Sequence, residues 1–263
     1  MGILEVIKKS FAQTTKLMNL VIVFFVFNAV IGLISLPLSN PDRVANPGII
    51  AVSAISSILF FFIFILLQGG ALGLVKDQIK TGSSNLSQFA EYGKKFYVKI
   101  LSLLLLYVLV AIAAVLVLGM LSAGVLFLGD NILTRSLVAL IVTAAAVTMI
   151  TLLVYPIYVV VAENVGAIEA FKKGISVAKD NFIKTLGLFM GLLVISLVLS
   201  LIVGFITGLI AVPLGGNISQ VIIAIVNAAV QSYVSIVMMV AFMSFYLSIS
   251  GSSQSGGMET AQI

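Results

Sequence analysis

Apolar residues follow a helical period in residues 166–184, where charged and apolar positions are most regularly interleaved. The apolar positions recur at spacings of three and four, so a helix would place them on one stripe: Ile168, Phe171, Ile175, Ala178 and Phe182. Charged residues and a serine occupy the opposite face. Weaker copies of this pattern cover residues 3–16 and 86–97. The pattern predicts three amphipathic helices at a boundary between apolar and polar surroundings.

Six long apolar runs lie between and after these segments. Each run exceeds the roughly 20 residues that a helix needs to cross the hydrocarbon core of a bilayer. The runs cover residues 17–38, 48–75, 100–128, 136–162, 185–212 and 217–249. We therefore predict an all-α, polytopic integral membrane protein with six transmembrane helices and three cytoplasmic interfacial amphipathic helices.

Composition supports lipid as the solvent of this chain. Hydrophobic residues make up 61% of the sequence and charged residues only 9%, whereas soluble domains carry about 25% charged residues. Between residues 185 and 258 there is no charged residue at all. A single soluble domain is therefore excluded.

The basic residues divide unevenly among the connections. All twelve lysines fall in the amino-terminal segment, the connection between the second and third runs, and the connection between the fourth and fifth runs. The remaining connections carry only Asp42, Arg43, Asp130 and Arg135. Lysine and arginine concentrate on the cytoplasmic side of membrane proteins. We therefore expect a multi-pass protein of the cell membrane with both termini in the cytoplasm.

The surface segments recur at a fixed interval. Leu4, Leu86 and Ile168 begin them at spacings of 82 residues, and each segment leads into a pair of apolar runs. The spacing predicts one membrane domain, residues 1–249, built from three repeat units, 1–82, 83–164 and 165–249. The alternative is three hairpins whose lengths are similar by chance. The Ser/Gly-rich residues 250–263 are expected to form a disordered tail.

Polar residues share helical faces in the second, fourth and sixth runs. The candidates for lining a shared polar cavity are Gln68, Thr151, Tyr155, Asn227 and Gln231. Polar groups inside a membrane face protein or water, because hydrocarbon offers no hydrogen-bond partner. The alternative interpretation is that these side chains only hydrogen-bond neighbouring helices together.

The lysines are the second set of candidate site residues. In the three amphipathic segments they are expected to lie near the membrane surface and to bind anionic lipid head groups: Lys8, Lys9, Lys94, Lys95, Lys172, Lys173 and Lys179. The alternative is that these lysines only set the topology while their stems lie along apolar surface. A net charge of +5 on so apolar a chain indicates an anionic membrane surface rather than nucleic acid.

Several chemistries lack their usual residues. The chain has no His and no Cys, so the commonest general base, thiol chemistry and the usual transition-metal ligands are missing, and we expect no enzyme, cofactor or metal site. No Gly-rich phosphate-binding motif is present. No ionisable residue lies deep in an apolar run, which argues against an ion-coupled carrier.

Residues 155–182 resemble a group of prokaryotic multi-span proteins that includes the membrane domain of some glycerophosphoryl diester phosphodiesterases. The shared pattern is a proline in a span, here Pro156, an acidic residue at its exit, a glycine, and a helix of the form Ala-Phe-Lys-x-Ser leading to Asn181-Phe182. Gly174 stands where that pattern has serine. The resemblance implies a six-helix membrane protein and transfers no catalytic residue.

Two function classes follow from these observations. The first is a non-enzymatic membrane module that engages anionic lipids or partner proteins from the cytoplasmic face. The second is an uncoupled permease, or a membrane subunit of a transporter, with the predicted polar cavity as its pathway. A continuous wet cavity would favour the second class.

Overall fold

The computed structural model describes residues 2–36, 47–127, 129 and 131–256, with side chains described as far as Ser250. This part of the chain is helical throughout, and short turns connect its helices. The helices are α1 (Ile3–Lys16), α2 (Met18–Ser35), α3 (Pro47–Thr81), α4 (Phe89–Phe127), α5 (Ile132–Leu153), α6 (Pro156–Glu163), α7 (Ala167–Asp180), α8 (Phe182–Ala211) and α9 (Gly216–Gly256).

Six helical segments are long and apolar enough to cross a membrane, which confirms the predicted fold class. They are Met18–Ser35, Pro47–Thr81, Leu86–Phe127, Ile132–Glu163, Phe182–Leu214 and Gly216–Ser250. Large apolar side chains are exposed along much of their length, for example Val115 at 69% and Leu201 at 65%. Such a surface is stable only where hydrocarbon covers it. The chain is therefore a multi-pass membrane protein.

The first and last predicted surface helices are separate helices. α1 and α7 are each 14 residues long, and each ends at one residue that leaves the helical conformation. That residue is Leu17 (φ −104°, ψ 24°) after α1 and Asn181 (φ −121°, ψ 29°) after α7. The following residue begins a span in both cases. Two amphipathic helices therefore precede spans in the same way at positions twice the predicted repeat interval apart.

The second predicted surface helix is not a separate element, which corrects the prediction for residues 86–97. After a short 3₁₀ turn, Leu86–Gln88, α4 runs without a break from Phe89 to Phe127. No proline or glycine interrupts the sequence between Tyr97 and Ile100, so nothing stops helix propagation there. The threefold repeat and the interfacial placement of the surface helices stay predictions.

Three sequence predictions fall wholly or partly outside the described residues. The loop with Asp42 and Arg43 and the turn residue Asp130 lie outside them. Residues 257–263 lie outside the described part, and the predicted tail, residues 250–263, stays a prediction; the last helix is described as far as Gly256. Serine is tolerated in a helix that has already formed, because extending a helix is far easier than starting one.

The chain divides into two compact units, 1–97 with 187–263 and 98–186. In the first unit, α9 packs against α1, α2 and α3. In the second, α7 packs against α5 and α6. Each unit contains one of the separate amphipathic helices, so each can be described by how that helix is held.

Candidate functional site

A stripe of small residues holds α7 against the second unit. Ala170, Gly174 and Ala178 recur every fourth residue and are all buried. The backbone of Gly174 meets the ring of Pro156: a Cβ atom added to the glycine would lie 2.5 Å from the proline nitrogen. The contact leaves no room for a side chain at position 174. The opposite face of α7, with its lysines, is left exposed.

Two polar contacts connect the end of α6 to its neighbours. Asn164 ends α6 in the left-handed conformation (φ 60°), and Lys99 Nζ donates hydrogen bonds to its backbone oxygen (2.6 Å) and its side-chain oxygen (2.9 Å). Glu163 pairs with Lys173 of α7 at 2.5 Å. A cation at a helix carboxyl end is stabilised by the carbonyls it meets there. Lys99 and Lys173 therefore stabilise the connection between α6 and α7.

Most of the residues that carry the resemblance therefore have structural roles. Pro156 begins α6, and its ring is in close contact with Gly174. Gly166 immediately precedes α7 and has an extended backbone. Asn181 ends α7 and donates from Nδ2 to the carbonyl of Val177 at 3.1 Å. The motif builds a docked amphipathic helix.

α1 is held by a different set of contacts in the first unit. Val6 is fully buried, and the buried hydroxyls of Ser10 and Thr14 donate to backbone carbonyls one turn earlier, at 2.7 and 2.8 Å. Ile3 and Ile7 reach Gly187 and Gly191 of α8: a Cβ atom added to these glycines would lie 2.8 and 3.1 Å from the tips of the isoleucines. Gly187 and Gly191 therefore leave space in which the isoleucines of α1 pack against α8.

The two amphipathic helices match position by position. Their buried stripes are Val6, Ser10 and Thr14 in α1 and Ala170, Gly174 and Ala178 in α7, which are twice the predicted interval apart. The first turn of each helix exposes one large apolar side chain, Leu4 at 75% and Ile168 at 67%. An apolar side chain beside exposed lysines is typical of helices in the membrane interface.

The predicted lysines differ in their surroundings. Lys173 is paired, as described above, and Lys95 lies over the ring of Phe96 with its nitrogen 5.5 Å from the ring centroid. The others are exposed on α1, α4 and α7 and form no ion pair with a described residue: Lys8, Lys9, Lys94, Lys172 and Lys179. Five of the seven candidates are therefore available to ligands from outside the protein.

A cavity of about 710 Å³ lies in the first unit between α2, α3 and α9. α9 contributes amides to its wall, including Asn227 and Gln231, and α2 and α3 contribute phenylalanines, including Phe27 and Phe60. A hydrogen bond of 2.8 Å from Asn28 Nδ2 to Ser232 Oγ joins α2 to α9. None of the described residues that line the cavity is charged. The described lining of the cavity is therefore uncharged and partly polar.

Two of the five candidate cavity residues line this cavity, and two others lie in the second unit. Asn227 and Gln231 line the cavity, but Gln68 is not among its lining residues. Thr151 is buried and donates to the carbonyl of Val147 at 2.8 Å, and Tyr155 hydrogen-bonds Thr185 at 3.1 Å within the second unit. The hydroxyls of Thr151 and Tyr155 are therefore satisfied within the same helix or by a neighbouring one.

Sequence reasoning missed the contribution of the first span. Phe27, Asn28 and Ile31 line the cavity from α2, although α2 was assigned no role. One signal was present: Asn28 is the one amide in the middle of an otherwise apolar run. An isolated amide in a span requires a partner, and tertiary structure supplies Ser232.

Comparison with known proteins identifies one family. The family described as a domain of unknown function (DUF7847) matches residues 8–249. No curated protein and no solved structure matches the chain. The resemblance to the membrane domain of glycerophosphoryl diester phosphodiesterases therefore rests on residues 155–182 alone.

Proposed function

The chain belongs to the family of domains of unknown function DUF7847, and we propose that it is a non-enzymatic membrane protein that gathers anionic lipid head groups at its cytoplasmic surface. The observation that carries this proposal is the position-by-position match of α1 and α7. Both helices bury a stripe against their neighbours and expose lysines together with one apolar side chain, Leu4 or Ile168. The alternative is that the same exposed face binds a partner protein.

Charge provides the energy for this interaction. A lysine near an anionic membrane surface contributes about 1 kcal/mol, and the attraction fades within a Debye length of about 8–10 Å at physiological salt. Lysines that only set topology would show no such preference among lipids. The two interpretations therefore differ in lipid selectivity and in its dependence on salt.

Removing two exposed lysines is expected to weaken the preference for anionic lipid. We expect Lys172→Gln with Lys179→Gln to lower the association of spin-labelled phosphatidylglycerol, relative to phosphatidylcholine, by up to about 5-fold per lysine. Electron spin resonance of the full-length protein in reconstituted membranes measures this ratio. At about 1 M salt, where the Debye length is about 3 Å, the preference should largely disappear.

The ion pair provides a matched control. Glu163→Gln with Lys173→Gln removes one positive and one negative charge at the connection between α6 and α7, so the net charge of the protein is unchanged. It should leave the lipid preference as it is in the unmodified protein. Equal association of the two lipids in the unmodified protein at low salt would refute the proposal.

The proposal requires the lysine-bearing segments to lie on one side of the membrane. The chain contains no cysteine, so single cysteines report their location without background. We expect Lys94→Cys and Lys172→Cys to react with a membrane-impermeant maleimide only in inside-out vesicles. Ile132→Cys, at the exposed start of α5, should react only in right-side-out vesicles. Labelling of positions 94 and 172 from opposite sides would overturn the topology and the proposed function together.

A second candidate function is uncoupled permeation, and the cavity between α2, α3 and α9 favours it. Its walls carry hydrogen-bonding amides and no charged residue among those described. Such a lining suits an uncharged solute and offers no site for a coupling ion. Permeation would require a ligand in this cavity as its first step.

A further inference from the structure

The amides and phenylalanines of the cavity together form an amphipathic lining. We propose that the cavity between α2, α3 and α9 binds an uncharged single-chain amphiphile whose hydroxyl or amide head pairs with Asn227 and Gln231. This inference is independent of lipid binding at the lysines. If the protein is an uncoupled permease, this amphiphile would be its substrate class. Binding of the amphiphile does not itself require transport.

The two amides lack partners in the described structure. Asn227 and Gln231 lie one turn apart on α9, both are exposed to the cavity, and neither hydrogen-bonds a described residue. Their neighbours differ in this respect: Asn28 donates to Ser232, which donates in turn to the carbonyl of Ala228 at 2.6 Å. An amide that faces hydrocarbon without a hydrogen bond is costly, so a polar group must meet these two.

Ordinary bilayer lipid does not supply that group. Asn28, at the level of Ser232, lies ten residues after the start of α2. At a rise of about 1.5 Å per residue this is about 15 Å, or half of a hydrocarbon core that is about 30 Å thick. Head groups of bulk lipid lie at the interfaces, so the polar partner of Gln231 is either water or the head of a molecule bound in the cavity.

The remaining lining indicates the rest of the ligand. The ring of Phe27 meets that of Phe60 edge-on at 5.9 Å and that of Phe64 face-on at 6.4 Å, which gives a continuous apolar surface for a hydrocarbon chain. A charged head would lack a counter-ion among the described lining residues. A volume of about 710 Å³ lies within the roughly 300–1,000 Å³ of sites that enclose a drug-sized molecule.

The absence of tryptophan from the chain makes a direct binding experiment possible. The full-length protein with Phe64→Trp, reconstituted in phosphatidylcholine nanodiscs without residual detergent, is titrated with a monoacylglycerol brominated on its acyl chain, and quenching of tryptophan emission is recorded. We expect quenching that saturates. Leu109→Trp, on an exposed position of α4, is the control and should show only gradual quenching without saturation. Gradual quenching at both positions would overturn the proposal.

Substitution of the amides tests the pairing. Asn227→Leu with Gln231→Leu, in the Phe64→Trp background, should weaken binding about 10-fold, because two hydrogen bonds to the head are lost. The melting temperature should stay the same or rise, since the amides have no described partner to lose. Asn227→Gln with Gln231→Asn keeps the amide chemistry and should retain most of the binding. Unchanged binding by the leucine variant would refute the assignment.

Two further outcomes separate the alternatives. Brominated phosphatidylglycerol should quench both reporters gradually; saturable binding as tight as that of the monoacylglycerol would overturn the requirement for an uncharged head. Lys172→Gln with Lys179→Gln should leave cavity binding intact. Failure of lipid selectivity at the lysines and failure of the cavity proposal are therefore distinguishable.

Discussion

Replacement of Gly174 by leucine is expected to detach α7 and, by allowing the helix to unfold locally, to speed tryptic cleavage after its lysines. The added Cβ would lie 2.5 Å from the nitrogen and 2.6 Å from Cδ of Pro156. Both atoms belong to a rigid ring at the start of α6, so the helices must move apart. Overpacking of this kind costs about 1–3 kcal/mol, and Gly174→Ala should show the lower part of that range.

Helix propensity makes this result easy to interpret. Leucine and alanine both favour a helix more than glycine does, by up to about 1 kcal/mol, so a loss of stability must come from docking. Proteolysis within a helix requires local unfolding. The rate of tryptic cleavage after Lys172 or Lys179 in the full-length protein therefore measures how firmly α7 is held.

A matched glycine is available in α8. Gly208 has no atom within 4 Å of an added Cβ, so Gly208→Ala should leave both the melting temperature and the cleavage rate at α7 unchanged or slightly improved. If Gly174→Leu is cleaved no faster than the unmodified protein, the close contact with Pro156 does not hold the helix.

Alanine at Gly70 or at Gly93 is expected to destabilise the α3–α4 pair by about 1–3 kcal/mol each. A Cβ atom at Gly70 would lie 2.7 Å from the backbone oxygen of Phe89, and one at Gly93 would lie 2.8 Å from that of Leu66. Backbone oxygens cannot rotate away as a side chain can. Each substitution therefore forces the two helices apart, and thermal unfolding in micelles reports the loss.

The double variant makes this prediction sharper. Once one substitution has separated α3 from α4, the second clash is largely relieved, so the combined loss should fall below the sum of the single losses. Gly124→Ala, in open space on the same α4, should have little effect. Additive losses from Gly70→Ala and Gly93→Ala would indicate two independent local strains rather than one close approach.

Whether a helix could be predicted from the sequence depended on the physical cause of its residue pattern. The spans were predictable because hydrocarbon accepts only long uncharged helices, and α1 and α7 were predictable because apolar and charged residues alternate at helical spacing within them. The second surface helix was not predictable as part of α4. Its pattern is amphipathic too, and no local signal tells a helix that stops from one that continues into a span.

The candidate cavity shows the same limit. Asn227 and Gln231 were recognisable as one polar stripe of one helix, but their partners depend on which helices pack together. The structure combines α9 with α2 and α3, and it leaves Thr151 and Tyr155 in another unit.

The sequence alone determined that this chain has lipid as its solvent and that its lysines gather in three segments, because both properties follow from the order of residues. Only the tertiary structure decided that Gly174 lies against Pro156, that Lys173 is neutralised by Glu163, and that a cavity with no charge in its described lining lies beside Asn28. Close contacts, ion pairs and cavities join residues that are distant in sequence. No periodicity along the chain encodes the distance between them.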